Sequence, residues 1–133
     1  MRDDGTPVVL YRDTNDGALM LVSCNDTTCT DTTRNRLPVE PWDLQAAQLA
    51  VDATGRPLVT TSGDGIRLHS CTDRACTSTR TGLVSLGRAP SFVSGLITSP
   101  FMTLDEQDRP VFLLEPDYAR PELLFCTEAR CGL

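Results

Sequence analysis

Short apolar runs recur along the chain, each bounded by Gly, Pro, Asn or Asp, and their lengths suit strands rather than helices. Residues 8–11, 58–61 and 111–114 are β-branched or apolar, and each run follows a proline, at Pro7, Pro57 and Pro110. Proline is tolerated there because the first residue of a strand need not donate to the ladder. A second run follows each of the first two. Leu19 and Leu21 alternate with Met20 and Val22, and Ile66 and Leu68 with Arg67 and His69, the period of two expected when one face packs harder. Between the paired runs lie Asn15-Asp16-Gly17 and Gly63-Asp64-Gly65, which read as hairpin turns because Gly, Asn and Asp accept a positive φ. Residues 48–52 and 101–105 supply a strand ahead of the proline turn, and the Thr-rich stretches 30–34 and 77–81 supply one behind.

These units repeat. The segments starting at Asp3, Asp52 and Asp105 share a frame of proline turn, strand, hairpin, strand and Cys-x4-Cys. First cysteines are 47 residues apart between copies one and two and 55 apart between copies two and three, so the third copy carries an insertion. Four-stranded antiparallel units at about 40 to 50 residues are the sequence mark of β-propeller blades. The expected fold is therefore all-β, with about three four-stranded meander blades per chain. Blade one spans 1–37 without its first strand, blade two is complete over 46–84, and blade three spans 101–133 without its last, with 85–100 inserted between. The chain is thus circularly out of phase with its blades. Three blades do not close a ring, so bare strand edges are expected to pair with other copies in a ring or filament, or with further blades of a larger propeller.

The frame D-x-x-G-x-P, strand, turn, strand, C-x-D-x-x-C resembles repeats of bacterial secreted β-propeller proteins. Asp52, Gly55, Pro57, Cys71, Asp73 and Cys76 carry it. Copy three departs from it: Asp108 replaces the glycine, Glu128 the aspartate, and residues 116–121 lengthen the hairpin. The resemblance implies a fold and names no activity.

All six cysteines fall into pairs of one spacing, Cys24 with Cys29, Cys71 with Cys76 and Cys126 with Cys131, which favours three disulfides. Zinc is the competing reading, and it fares worse because a structural site wants four ligands while these pairs sit on separate units. Each short ring contributes about 2 kcal/mol in the chain-entropy treatment. Persistent disulfides imply an extracellular or otherwise oxidising compartment. Residues 1–7 lack the layout of a signal peptide, which is attributed to truncation or removal.

Charge narrows the partners. The net charge is -6, from 18 acidic residues against 12 arginines with no lysine, which disfavours nucleic acid. No apolar stretch reaches the roughly 18 residues of a membrane span. With a single histidine, His69, a Ser-His-Asp triad has few resources, and its place beside Arg67 reads as structural or partly exposed. Asp16, Asp26, Asp64 and Asp73 sit at turns, where aspartate caps backbone amides, so paired-carboxylate catalysis is the weaker reading. Asp13 to Gly17 has a faint calcium-loop look but lacks the closing glutamate, and neither a metal nor a cofactor is expected. One ligand site remains as a candidate: Trp42 stacking on a sugar, with Arg34, Arg36 and Glu40 bonding its hydroxyls. The aromatic does not recur in the other copies. The reading is a non-catalytic binding or structural module that self-assembles, with a glycan or protein ligand; the alternatives are a lectin-like propeller and a fragment of a secreted propeller hydrolase.

Overall fold

A computed structural model describes residues 1–40, 44, 46–63, 65–86, 102–114 and 121–133. It is all-β, with three antiparallel sheets. Sheet 1 runs β1 (Val8–Arg12), β2 (Leu19–Cys24), β3 (Thr32–Arg36); sheet 2 runs β4 (Ala46–Val51), β5 (Pro57–Gly63), β6 (Gly65–Cys71), β7 (Thr79–Ser85); sheet 3 runs β8 (Met102–Leu104), β9 (Pro110–Leu114), β10 (Glu122–Phe125). Every pairing is between strands consecutive in the chain, so each sheet is a meander. Sheet 2 alone has four described strands. β1 and β10 are edge strands, each with one described neighbour.

The proline turns share one hydrogen-bond pattern, and it corrects the alignment of the first copy. Asp52 N donates to Arg56 O and Gly55 N to Asp52 O; Asp105 N and Asp108 N do the same with Arg109 O and Asp105 O. In copy one the corresponding bonds are Arg2 N to Thr6 O and Gly5 N to Arg2 O. Arg2, not Asp3, therefore holds the position of Asp52 and Asp105. Residue four of this turn needs a left-handed backbone, supplied by Gly5 and Gly55 and, in copy three, by Asp108 at φ 57°. Aspartate is among the few other residues that tolerate this.

The three disulfides form as expected, Cys24–Cys29, Cys71–Cys76 and Cys126–Cys131. Each closes a tight loop whose second cysteine is left-handed, at φ 59°, 60° and 54°. A β-region residue would carry the chain onward there; the positive φ turns it back, toward β3 and β7 in the first two loops.

The sheets stack face on face. We call the face carrying Val8, Leu19 and Leu21 in sheet 1 the front, with the back opposite. The front of sheet 1 packs on Val59, Leu49 and Val51, on the back of sheet 2. The front of sheet 2, with Leu58, Ile66 and Leu68, packs on Met102, Phe112 and Leu114, on the back of sheet 3. The turn register makes these faces equivalent: Val8 corresponds to Leu58, and Val59 to Phe112. Burying one such side chain contributes about 1.5–3 kcal/mol. Sheet 2 is consequently buried on both faces, and β5 is buried at six consecutive residues, Pro57 to Ser62. The alternation expected in β6 gives way for the same reason: His69 on its back face is as buried as Leu68 on its front.

Candidate functional site

The seam between sheets 1 and 2 holds a cleft of about 290 Å³, with Glu40, Leu44, Ser62, Arg67, His69 and Thr81 in its walls. Antiparallel register places His69 between Val59 and Thr81, so its ring lies under the cleft floor. Its Nε2 is 2.9 Å from Thr61 Oγ1 and its Nδ1 2.9 Å from Thr81 Oγ1. Burial, reinforced by the charge of Arg67, pushes the imidazole pKa from 6.5 down to about 4. At neutral pH the ring is uncharged, donates to one threonine and accepts from the other. Neither nitrogen is left to take a proton from a substrate. His69 is a buried structural group: of the two expectations, structural or partly exposed, its burial selects the first.

Of the four residues assigned to a sugar site, Glu40 lines this cleft. Arg34 and Arg36 lie on the back of sheet 1, paired in register with Val22 and Met20. The Arg34 guanidinium sits 5.9 Å from the centre of the Tyr11 ring, and Arg36 pairs with Asp16 at 3.3 Å. They do not join Glu40. Trp42 and Asp64 lie outside the described residues, as do residues 87–100 of the insertion.

The turn aspartates have local work. Asp26 accepts from the amides of Thr28, Thr30 and Asp31, at 3.1, 2.9 and 3.0 Å. The Thr30 hydroxyl and amide, then those neighbours, hold its carboxyl far below the usual range. Asp16 accepts from Ala18 N, and Asp73 from Thr77 N. Among the described residues, no three His, Cys, Asp or Glu side chains gather as a metal site would require.

The most elaborate polar sites were not anticipated from the sequence: two buried arginines, one at each seam. Arg130, in the third Cys-x4-Cys loop, reaches across to sheet 2. Its Nε donates to Ser70 Oγ at 2.9 Å, Nη2 to Cys71 O at 2.6 Å and Pro57 O at 3.3 Å, and Nη1 to the Asp52 carboxylate. Burial alone would raise the Asp52 pKa; hydrogen bonds from Thr54, the Arg56 amide and Arg130 outweigh it and hold the carboxyl below its ordinary value. Arg2 fills the same socket in sheet 1, donating from Nη2 to Ser23 Oγ at 2.8 Å and from Nη1 toward Cys24 O at 3.5 Å. It crosses the seam the other way, through Nε to Gly55 O at 2.7 Å and through Nη2 to Arg74 O. The Arg74 side chain returns to pair with Asp4. The one signal available in the sequence was the Ser-Cys dipeptide, repeated at Ser23-Cys24 and Ser70-Cys71 and replaced by Phe125-Cys126 in copy three.

No protein-family model matches this chain, and neither a curated protein nor a solved structure is significantly similar to it.

Proposed function

We propose that the chain is a non-catalytic structural or binding module of propeller-like blades, working outside the reducing cytosol and associating with further copies of itself. One observation carries the reading: both seams use the same pair of faces and the same Ser-Cys socket for a buried guanidinium. A contact made twice by equivalent surfaces is a contact the unit is built to make again. The three disulfides support an oxidising location. The single histidine is fully engaged, and the turn aspartates are consumed by their own loops, which leaves little for hydrolysis. Multi-angle light scattering at tens of micromolar, with and without reductant, tests the association. Masses at multiples of 14.5 kDa support it; a monomer at every concentration overturns it.

A second reading, a small polyhydroxylated ligand at the sheet 1–sheet 2 seam, rests on the cleft itself. Glu40, Arg67 and Thr81 provide hydrogen-bonding groups of three kinds beside the apolar Leu44. Glycan-array binding that is lost in Arg67→Ala and in Trp42→Ala would favour it, and binding unchanged by both would remove it.

A further inference from the structure

The front of sheet 3 is the counterpart of the surfaces that sheets 1 and 2 bury. Its register aligns Val111 with Phe125 and Leu113 with Leu123, four apolar side chains in a two-by-two block. Leu58 and Leu68, the sheet 2 counterparts of Val111 and Leu123, are fully buried, whereas Leu123 is 60% exposed and Phe125 62%. At the other end of the stack, the back of sheet 1 carries Val9 opposite Val22 and Tyr11 opposite Met20. Val9 is 46% exposed, while its counterparts Val59 and Phe112 are fully buried. An exposed apolar block at a position that equivalent repeats cover is a contact surface without its partner.

We infer that the front of sheet 3 docks onto the back of sheet 1 of a second copy of this chain, repeating the internal stacking head to tail. This rests on the proposed self-association and assigns the surfaces that make it: sheet faces in addition to strand edges. The loops select that partner. In both internal seams the Cys-x4-Cys loop of one sheet leans on the strand end of the sheet before it: Arg74 O accepts from Ser23 Oγ at 3.1 Å, and Arg130 Nε donates to Ser70 Oγ. Sheet 3 has Phe125 where those serines stand, so the hydroxyl that receives a guanidinium is gone. The loop of sheet 1, Asn25-Asp26-Thr27-Thr28, brings no guanidinium, having Thr28 where copy three has Arg130. Its Asp26 is turned onto its own loop's hydroxyls and amides. An apolar strand end meets an arginine-free loop, and the mismatch that Ser70 or Arg130 would create at this junction does not arise.

Two variants separate the surfaces. Phe125→Asp blocks the front and leaves the back intact; Val9→Asp does the reverse. Both positions are exposed, so both chains are expected to fold, as far-UV circular dichroism would verify. Light scattering should give at least twice 14.5 kDa for the unaltered chain, a monomer for each variant alone, and a dimer, no larger, for their equimolar mixture. A mixture that stays monomeric, or Phe125→Asp associating like the unaltered chain, overturns the inference while self-association through another surface stands. An unaltered chain that is monomeric throughout removes both, and assigns the faces to a different partner.

Discussion

The two seams solve one problem with different charges. Between sheets 2 and 3, Arg130 enters from the following sheet and meets a buried carboxylate, Asp52, whose side chain is only 1% exposed. Between sheets 1 and 2, the turn position of Asp52 is occupied by Arg2, which enters from the preceding sheet's own turn and finds carbonyls and two hydroxyls, of Ser23 and Thr6, but no buried acid. Its nearest ion pair, Arg74 with Asp4, is half exposed. One interface is clasped by a desolvated ion pair and the other by a guanidinium that spends its charge on dipoles. The socket, a serine hydroxyl and a cysteine carbonyl at a strand end, is common to both. What the fold conserves between its own repeats is thus the acceptor geometry, while the origin of the arginine is free to vary.

The largest effect should come from the acidic seam. Arg130→Ala takes from Asp52 its buried cationic partner and leaves only the more exposed Arg56, at 3.5 Å; breaking a buried pair costs about 3–5 kcal/mol, and Arg56 holds the loss toward the lower end of that range, to be read from urea denaturation of the oxidised protein. Next comes acid. The folded pKa of His69, about 4, lies below the 6.5 of an unperturbed histidine, so the unfolded chain takes up the proton first. Stability is then complete above pH 6.5, declines as pH falls toward 4, and levels off below, by about 3 kcal/mol in all at 1.36 kcal/mol per pKa unit. The carboxyls of Asp4, Asp26, Asp52, Asp73 and Asp105, all held below the ordinary 3.8, begin to release their contribution as the pH falls toward that value and continue to do so below it. A denaturation series from pH 7 to 5, above the range where the carboxyls begin to protonate, should show the decline in the unaltered chain and a flat line in His69→Gln.

Smaller again is Arg2→Ala, which strands Ser23 and carbonyls but no buried charge: about 1–3 kcal/mol. A loss equal to that of Arg130→Ala would show that the carboxylate adds nothing to its seam, and would dissolve the distinction. The exposed pair Arg36–Asp16 sets the floor. Asp16→Asn should change stability by about 0.5 kcal/mol or less, and a larger change would mean that the hairpin cap at Ala18 N dominates.

Much of this architecture was legible because it is local. Prolines at strand starts, Asn-Asp-Gly at the first hairpin and Cys-x4-Cys at loop closures each act within about six residues, so they leave a pattern that one copy of the unit displays complete. The copy-one turn shows where local reading slips: Asp3 and Asp4 mimic the aspartate of the frame, but the spacing to Gly5 and Pro7 puts Arg2 in its place, and the hydrogen bonds of Arg2 N and Gly5 N establish that register. Arg34 and Arg36 part from Glu40 for a related reason. Arg34 and Arg36 are close to Glu40 in sequence, but strand alternation sends them to the back face, whereas Glu40 follows the buried Leu37 into the seam.

The amino-acid sequence alone determined the strands, the meander order, the disulfide pairs and the turn duty of Asp16, Asp26 and Asp73, since each depends on backbone preferences and neighbours a few positions away. Only the tertiary structure decided which face meets which, that His69 is buried, and that Arg2 and Arg130 occupy equivalent sockets. Those bonds join residues 53 to 78 positions apart across the seams, and several of their acceptors are backbone carbonyls. A carbonyl belongs to every residue alike, so nothing in the order of side chains marks it until the sheets are stacked.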